Sequence, residues 1–151
     1  MIKKILLISL TILWMVSIFM FSNQKSEKST NKSHSLVSNT IVRIYKLFDH
    51  NPSEEKIESI IETWDVPVRK TAHFMEYLIL GVLVFLTLRE FKINNIYLMI
   101  LICFLYACSD EIHQLFVAGR SCSFVDVLID SFGSTIAIIL LDRRKEKKYE
   151  K

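Results

Sequence analysis

Polar side chains that could carry chemistry lie at the ends of long apolar stretches in this sequence. His73 and Glu76 are three residues apart and Asp126 and Asp130 are four apart, so each pair lies on one face of a helix. A charged group at the centre of a membrane helix costs roughly 2.5–3.5 kcal/mol, so such residues mark functional positions. The full set of candidates is Arg69, Lys70, His73, Glu76, Asp110, Glu111, His113, Gln114, Arg120, Asp126 and Asp130.

One further apolar stretch ends in the polar run Asp110-Glu111-Ile112-His113-Gln114. On a helix, Asp110, His113 and Gln114 share a face, and Glu111 points partly away from it. Imidazole and carboxylate groups held together suit general acid–base catalysis. The candidate catalytic residues are therefore His73, Glu76, Asp110 and His113.

Three cations lie beside these acids. Guanidinium and ammonium groups suit phosphate and carboxylate ligands, so Arg69, Lys70 and Arg120 are predicted to bind an anionic or hydrogen-bonding group. The remaining predicted binding residues are Glu111, Gln114, Asp126 and Asp130.

Histidines and carboxylates together could also hold a divalent metal ion. The spacing His-Glu-x-x-His is absent, however, as are a Gly-x-Ser-x-Gly nucleophile motif and a phosphate-binding glycine loop. We predict neither a metal nor a cofactor.

Simpler roles exist for several of these residues. Ser123-Phe124-Val125-Asp126 fits a capping box, in which the acid serves only the helix start. Arg69-Lys70 could anchor a helix among lipid headgroups, and His113-Gln114 could be hydrated at the interface. Glu76 and Asp110 lie one to two turns deep, where a carboxylate needs a partner or a proton.

Four apolar stretches have the length of membrane helices, for which about 20 residues are needed. The links between the last three are short, which makes those helices antiparallel neighbours. The sequence thus predicts one all-α domain, an integral membrane four-helix bundle. Its predicted spans are 5–21, 71–88, 93–117 and 124–141.

The basic residues predict how the bundle is oriented in the cell membrane. Lys3-Lys4, the link Arg89–Lys92 and the basic tail 142–151 fall on one side when four spans are counted. Because basic residues stay in the cytoplasm, both termini are predicted to be cytoplasmic and residues 22–70 to lie outside. The basic pair Arg69-Lys70, which ends this outer segment, is thereby predicted to lie outside against the rule.

Within the outer segment, two short amphipathic helices are predicted. The first carries apolar residues at helical spacing over 37–48 and stops before Pro52. The second is capped by Ser53 and presents an apolar stripe that ends at Trp64. Such helices lie in the membrane interface or on the outer end of the bundle.

Composition excludes some functions. The net charge of +3 and the lack of any recognition motif argue against nucleic-acid binding. Cys103, Cys108 and Cys122 fit neither a zinc site nor a disulfide framework, and we interpret them as ordinary apolar residues.

The polar motifs resemble those of VanZ-like membrane proteins. Arg69–Tyr77 resembles the first signature of that family, and Asp110–Phe116, followed by Gly119-Arg120 and Asp126, resembles the second. Phe21-Ser22-Asn23-Gln24 is similar to the segment that often follows the first helix of these proteins. In two places the chain departs from the pattern: Ala118 stands where Pro is common, and Asp130 stands where Asn is common.

The resemblance implies a four-helix membrane plan and a role at the cell envelope. The family takes its name from a protein associated with reduced susceptibility to teicoplanin, a lipid-tailed glycopeptide antibiotic. Our leading hypothesis is an outer polar pocket that engages the headgroup of a lipid or of a cell-wall precursor. A membrane enzyme acting on a lipid-linked substrate and a small proton or ion pathway are the alternatives; the oligomeric state is left open.

Overall fold

The computed structural model describes residues 1–23, 43, 53–117 and 122–149. These residues form four long helices and contain no strand. The helices are α1 (Ile2–Ser22), α2 (Glu54–Glu90), α3 (Ile96–Gln114) and α4 (Phe124–Tyr149). The predicted all-helical bundle is confirmed.

Each helix contains a segment long and apolar enough to cross a membrane. These segments are Ile2–Ser22, Val66–Glu90, Ile96–Gln114 and Phe124–Arg143. The third begins later and ends earlier than the predicted span 93–117. At its start, Asn95 caps the helix by accepting a hydrogen bond from the Leu98 N–H at 3.2 Å. The chain is a multi-pass membrane protein.

The second of the two predicted short outer helices is not separate. Residues 54–65 belong to α2, which runs unbroken into the membrane span. Ser53 is at the N-cap as expected, but its side chain makes no capping hydrogen bond. The first predicted short helix, over 37–48, lies outside the described residues except for Arg43.

Pro67 lies inside α2. A proline inside a helix removes one backbone hydrogen bond, at a cost of about 3 kcal/mol. Here Pro67 is the second residue of the membrane-spanning segment Val66–Glu90, so it lies at the start of that segment. Water at the interface can satisfy the carbonyl group that loses its donor, so the helix continues.

The closest packing in the bundle is between α2 and α4, and glycines permit it. A Cβ atom on Gly81 would lie 2.5 Å from the Ser134 carbonyl oxygen, and one on Gly133 would lie 2.5 Å from the Phe74 carbonyl oxygen. Both distances are far inside van der Waals contact. The two backbones therefore touch, which is typical of small residues at membrane helix interfaces.

The remaining helices pack around this pair. The core combines residues of all four helices, among them Ile18 of α1, Leu80 of α2, Met99 of α3 and Ile138 of α4. Hydrogen bonds tie α1 to the bundle: the Trp14 indole donates to the Glu76 carbonyl oxygen at 2.9 Å, and the Tyr106 hydroxyl donates to the Met15 carbonyl oxygen at 2.6 Å. The outward faces are apolar, as contact with lipid requires.

Ion pairs gather the chain ends at one end of the bundle, here called the terminal end. Lys3 Nζ lies 2.5 Å from Glu90 Oε2, and Arg89 pairs with Asp142. These pairs place the start of α1 and the end of α2 next to the end of the membrane span of α4. The opposite end, where α3 ends and α4 begins, is called the cluster end.

Candidate functional site

Three helices bring their carboxylates together at the cluster end. Asp110 and Glu111 of α3 and Asp130 of α4 are 1%, 2% and 1% exposed. Glu76 of α2 is half-buried beside them and is close enough to Asp130 to repel it electrostatically. These acids therefore lie at the same end of the bundle, and most of them face the interior rather than lipid.

The buried position of Glu111 differs from the predicted helix face. It was expected to point partly away, yet both of its oxygens accept hydrogen bonds inside the bundle. Gln114 Nε2 donates to Oε1 at 2.8 Å, and the Ser123 N–H donates to Oε2 at 2.8 Å. Glu111 thus fastens the beginning of α4 to the end of α3.

The side chain of His113 packs against α1 rather than among the acids. Its ring stacks on Phe19 with the centroids 4.1 Å apart, and Nε2 lies 3.4 Å from Asn23 Oδ1. It therefore lies against α1. Of the three residues predicted to share a face, Asp110 and Gln114 are buried together, with Gln114 Nε2 3.4 Å from Asp110 Oδ2.

Asp126 forms an ion pair with α2 rather than a capping box. Its Oδ1 lies 2.6 Å from Lys70 Nζ, and the two side chains are 33% and 36% exposed. The Ser123 N–H, which the box would assign to Asp126, goes to Glu111 instead. The capping interpretation is wrong, and Lys70 is not simply a lipid anchor.

His73 and Glu76 pair along α2, as their spacing predicted. His73 Nδ1 lies 3.5 Å from Glu76 Oε2, and both side chains are about four-fifths buried, with exposures of 18% and 21%. The pair faces the interior beside the Lys70–Asp126 bridge. An imidazole next to a carboxylate is an arrangement that can exchange a proton with a bound group.

Two further members of the site have their polar atoms without a partner. Tyr77 is fully buried, and Asp130 nearly so. Within the described part of the chain, the Tyr77 hydroxyl and Asp130 Oδ1 make no hydrogen bond. Tyr77 was included in the sequence-based prediction only as the last residue of the first signature; its position four residues after His73 was the signal that could have found it.

The predicted cations are distributed unevenly. Arg69 is half-buried at the cluster end, and among the described residues it makes no ion pair. Arg120 lies outside the described residues, as does the turn 118–121. The described residues contain no group of three or more His, Cys, Asp or Glu side chains arranged to hold a metal ion.

These features define a class: a four-span membrane protein with an acid-rich polar cluster buried at one end of its helices. The VanZ/LLP1 family model matches residues 7–143. The chain belongs to the VanZ/LLP1 family. Comparisons with curated proteins and with solved structures find no match.

Proposed function

We propose that this protein acts at the cell envelope and that its polar cluster binds the headgroup of a membrane lipid or of a lipid-linked cell-wall precursor. The observation that supports this most is the burial of Asp110, Glu111 and Asp130 at one end of a membrane bundle. Ionisable residues are costly at such positions, which makes a functional role the default hypothesis.

The cluster divides into parts with different chemistry. Arg69, which makes no ion pair among the described residues, suits a phosphate or carboxylate, and Arg120 is proposed for the same role. Asp110 and Asp130 accept hydrogen bonds and therefore suit hydroxyl or amino groups. Glu111 and Gln114 bind each other and hold the end of the bundle in place.

A membrane-embedded acid–base enzyme is the second candidate. It is favoured by the His73–Glu76 pair, whose 3.5 Å separation allows a carboxylate to orient and polarise an imidazole. His113 is removed from this role because it stacks on Phe19. Turnover of a bound lipid by the purified protein, lost in His73→Gln, would distinguish this candidate from binding alone.

The test of headgroup binding compares lipids that share their acyl chains. Purified protein in detergent is titrated with phosphatidylglycerol and with diacylglycerol, which has no headgroup, and the bound lipid is counted by native mass spectrometry. We expect the phospholipid to bind at least about tenfold more tightly, since one charge-assisted hydrogen bond contributes about 1.5–3 kcal/mol. Equal binding of both lipids would reject the proposal.

Two variants locate the binding. Asp110→Asn and Arg69→Gln should each reduce phospholipid binding toward the diacylglycerol level. Glu90→Gln is the control, because Glu90 lies at the terminal end and pairs with Lys3. A loss in Glu90→Gln equal to the loss in Asp110→Asn would place the bound lipid elsewhere.

The link to glycopeptide antibiotics is proposed separately. In a Gram-positive host that expresses the protein, we expect a shift in teicoplanin susceptibility without an equal shift for vancomycin, because teicoplanin carries a lipid tail. Asp110→Asn should abolish the shift, and Glu90→Gln should keep it. If teicoplanin susceptibility does not shift at normal protein levels, the antibiotic role is rejected. Headgroup binding is then still tested by the lipid titration.

A further inference from the structure

Within the cluster, Tyr77 and Asp130 form a deeper pair with properties of its own. They come from α2 and α4, the two helices whose glycines allow backbone contact. Tyr77 is 0% exposed and Asp130 is 1% exposed. The phenol and the carboxylate are close enough to interact electrostatically, and both also interact with Asp110 and Glu111.

The hydrogen-bonding capacity of this pair is unused. In the described part of the chain, neither the Tyr77 hydroxyl nor Asp130 Oδ1 has a hydrogen-bond partner. A polar group that is buried unpaired costs about 1–3 kcal/mol, and more when it is charged. Native proteins keep such groups where water, an ion or a ligand completes them.

The charge around the pair selects the kind of group that fits. Asp130 is desolvated by burial, and the acidic side chains of Asp110, Glu111, Asp126 and Glu76 lie near it. No cationic side chain among the described residues forms an ion pair with Asp130. A second anion would be repelled here, whereas a cation that donates hydrogen bonds would be attracted.

The depth of the pair limits the shape of its ligand. Asp130 is six residues into α4, which places it about 9 Å below the helix start at about 1.5 Å per residue. Tyr77 is eight residues beyond Arg69 on α2, or about 12 Å along the axis. A group that reaches both needs an arm longer than a phosphate with one short substituent.

The Lys70–Asp126 bridge lies above this pair, toward the cluster end. Lys70 and Tyr77 are seven residues apart on one face of α2, and Asp126 and Asp130 are four apart on one face of α4. With about a third of each side chain exposed, the bridge is accessible and weak enough to open. By residue position it lies between the deeper pair and the cluster end.

We propose that Tyr77 and Asp130 bind a protonated primary amine carried on the arm of an envelope lipid headgroup. The inference rests on the proposed headgroup site and names its ligand class: an amino-bearing headgroup whose phosphate remains near Arg69. The ammonium donates to Asp130 and to the Tyr77 oxygen, and its positive charge offsets the surrounding carboxylates.

The test uses a matched pair of lipids. Phosphatidylglycerol and lysyl-phosphatidylglycerol with identical acyl chains differ only in the aminoacyl arm. Each is titrated into the purified full-length protein, and binding is measured by native mass spectrometry with diacylglycerol as the baseline. We expect the lysyl form to bind at least tenfold more tightly, since charge-assisted hydrogen bonds contribute about 1.5–3 kcal/mol.

Variants assign that preference to the pair. Asp130→Asn keeps the shape of the side chain and should bring the two lipids to equal affinity. Tyr77→Phe should weaken the lysyl form alone, by a smaller factor. Asp142→Asn, the same substitution at the terminal end of α4, is the control and should keep the full preference. Thermal melting of each variant in detergent shows that it is folded.

Each result has one meaning. Equal binding of the two lipids by the unchanged protein overturns the inference and leaves the headgroup proposal standing. A preference for the lysyl form that survives Asp130→Asn also overturns it, because the amine is then recognised elsewhere. If neither lipid binds better than diacylglycerol, the headgroup proposal itself fails.

Discussion

At the scale of single residues, two acids at the cluster end, Glu111 and Asp126, have different roles. Glu111 is buried and accepts hydrogen bonds from the Gln114 side chain and the Ser123 backbone. Asp126 is one-third exposed and accepts from Lys70. A buried acceptor that is removed leaves its donors unpaired, whereas an exposed ion pair contributes about 0–1 kcal/mol. Glu111 therefore contributes more to the stability of the fold than Asp126 does.

A prediction about stability follows from this difference. Glu111→Ala should destabilise the protein by about 1–3 kcal/mol, and Asp126→Ala should destabilise it by less than about 1 kcal/mol. The two variants are compared by thermal unfolding in the same detergent. A larger effect for Asp126→Ala would show that the Lys70–Asp126 pair between α2 and α4 contributes more to stability than the hydrogen bonds of Glu111 between α3 and α4.

At the scale of helices, the contact between α2 and α4 is the element that assembles the site. Gly81 and Gly133 let the two backbones approach until a Cβ atom would be 2.5 Å from a carbonyl oxygen. That approach sets the distance between Tyr77 on α2 and Asp130 on α4. Any side chain at either glycine must push the helices apart, because backbone atoms cannot move aside as a flexible side chain can.

We therefore predict that Gly81→Ala and Gly133→Ala each lower stability by about 1–3 kcal/mol, the usual cost of overpacking. The gain in helix propensity, about 1 kcal/mol, does not compensate when the added methyl group meets backbone. Ala72→Val, on the exposed face of α2, serves as the control and should change the melting temperature little. Unchanged melting of both glycine variants would mean that the helices can separate without cost.

At the scale of the whole molecule, the two ends of the bundle differ in chemistry. The terminal end carries Lys3, Arg89 and their acidic partners on exposed or half-buried side chains. The cluster end buries its acids and leaves Cys122 exposed at the start of α4. Because basic residues stay in the cytoplasm, we predict that the cluster end faces the outside of the cell.

Labelling with a membrane-impermeant maleimide tests this orientation in intact cells. Cys122 should react from outside, since it is exposed at the cluster end, and Cys122→Ser should abolish the signal. Ile93→Cys in the Cys122→Ser background lies in the link at the terminal end and should react only after the cells are permeabilised. The reverse labelling pattern would show that the cluster end faces the cytoplasm and that the predicted orientation is wrong.

Much of the architecture could be predicted from the apolar stretches alone. Long runs of apolar residues must form helices in lipid, because the backbone has no other partner there. The limits of that reasoning are visible in α2: a separate short outer helix capped by Ser53 was predicted, but one helix runs from Glu54 into the membrane span. Pro67 lies near water, where one missing hydrogen bond is tolerated.

The site was predicted as a set of residues at one end, and its members at described positions lie there. Their directions were predicted less well. Helical spacing grouped Asp110 with His113, but Asp110 is buried among the other acids and His113 stacks against α1. A helix of this kind is polar around much of its last turn, so spacing alone cannot say which polar face a neighbouring helix will cover.

By itself the sequence determined the class of protein, the number of its membrane helices and the end at which its charged residues gather. These follow from the cost of placing backbone and charge in lipid, which acts on each helix separately. Only the tertiary structure decided the partners: Lys70 with Asp126, Glu111 with Ser123, and Tyr77 beside Asp130. Partners depend on how close α2 and α4 come and how each is rotated, and packing sets both.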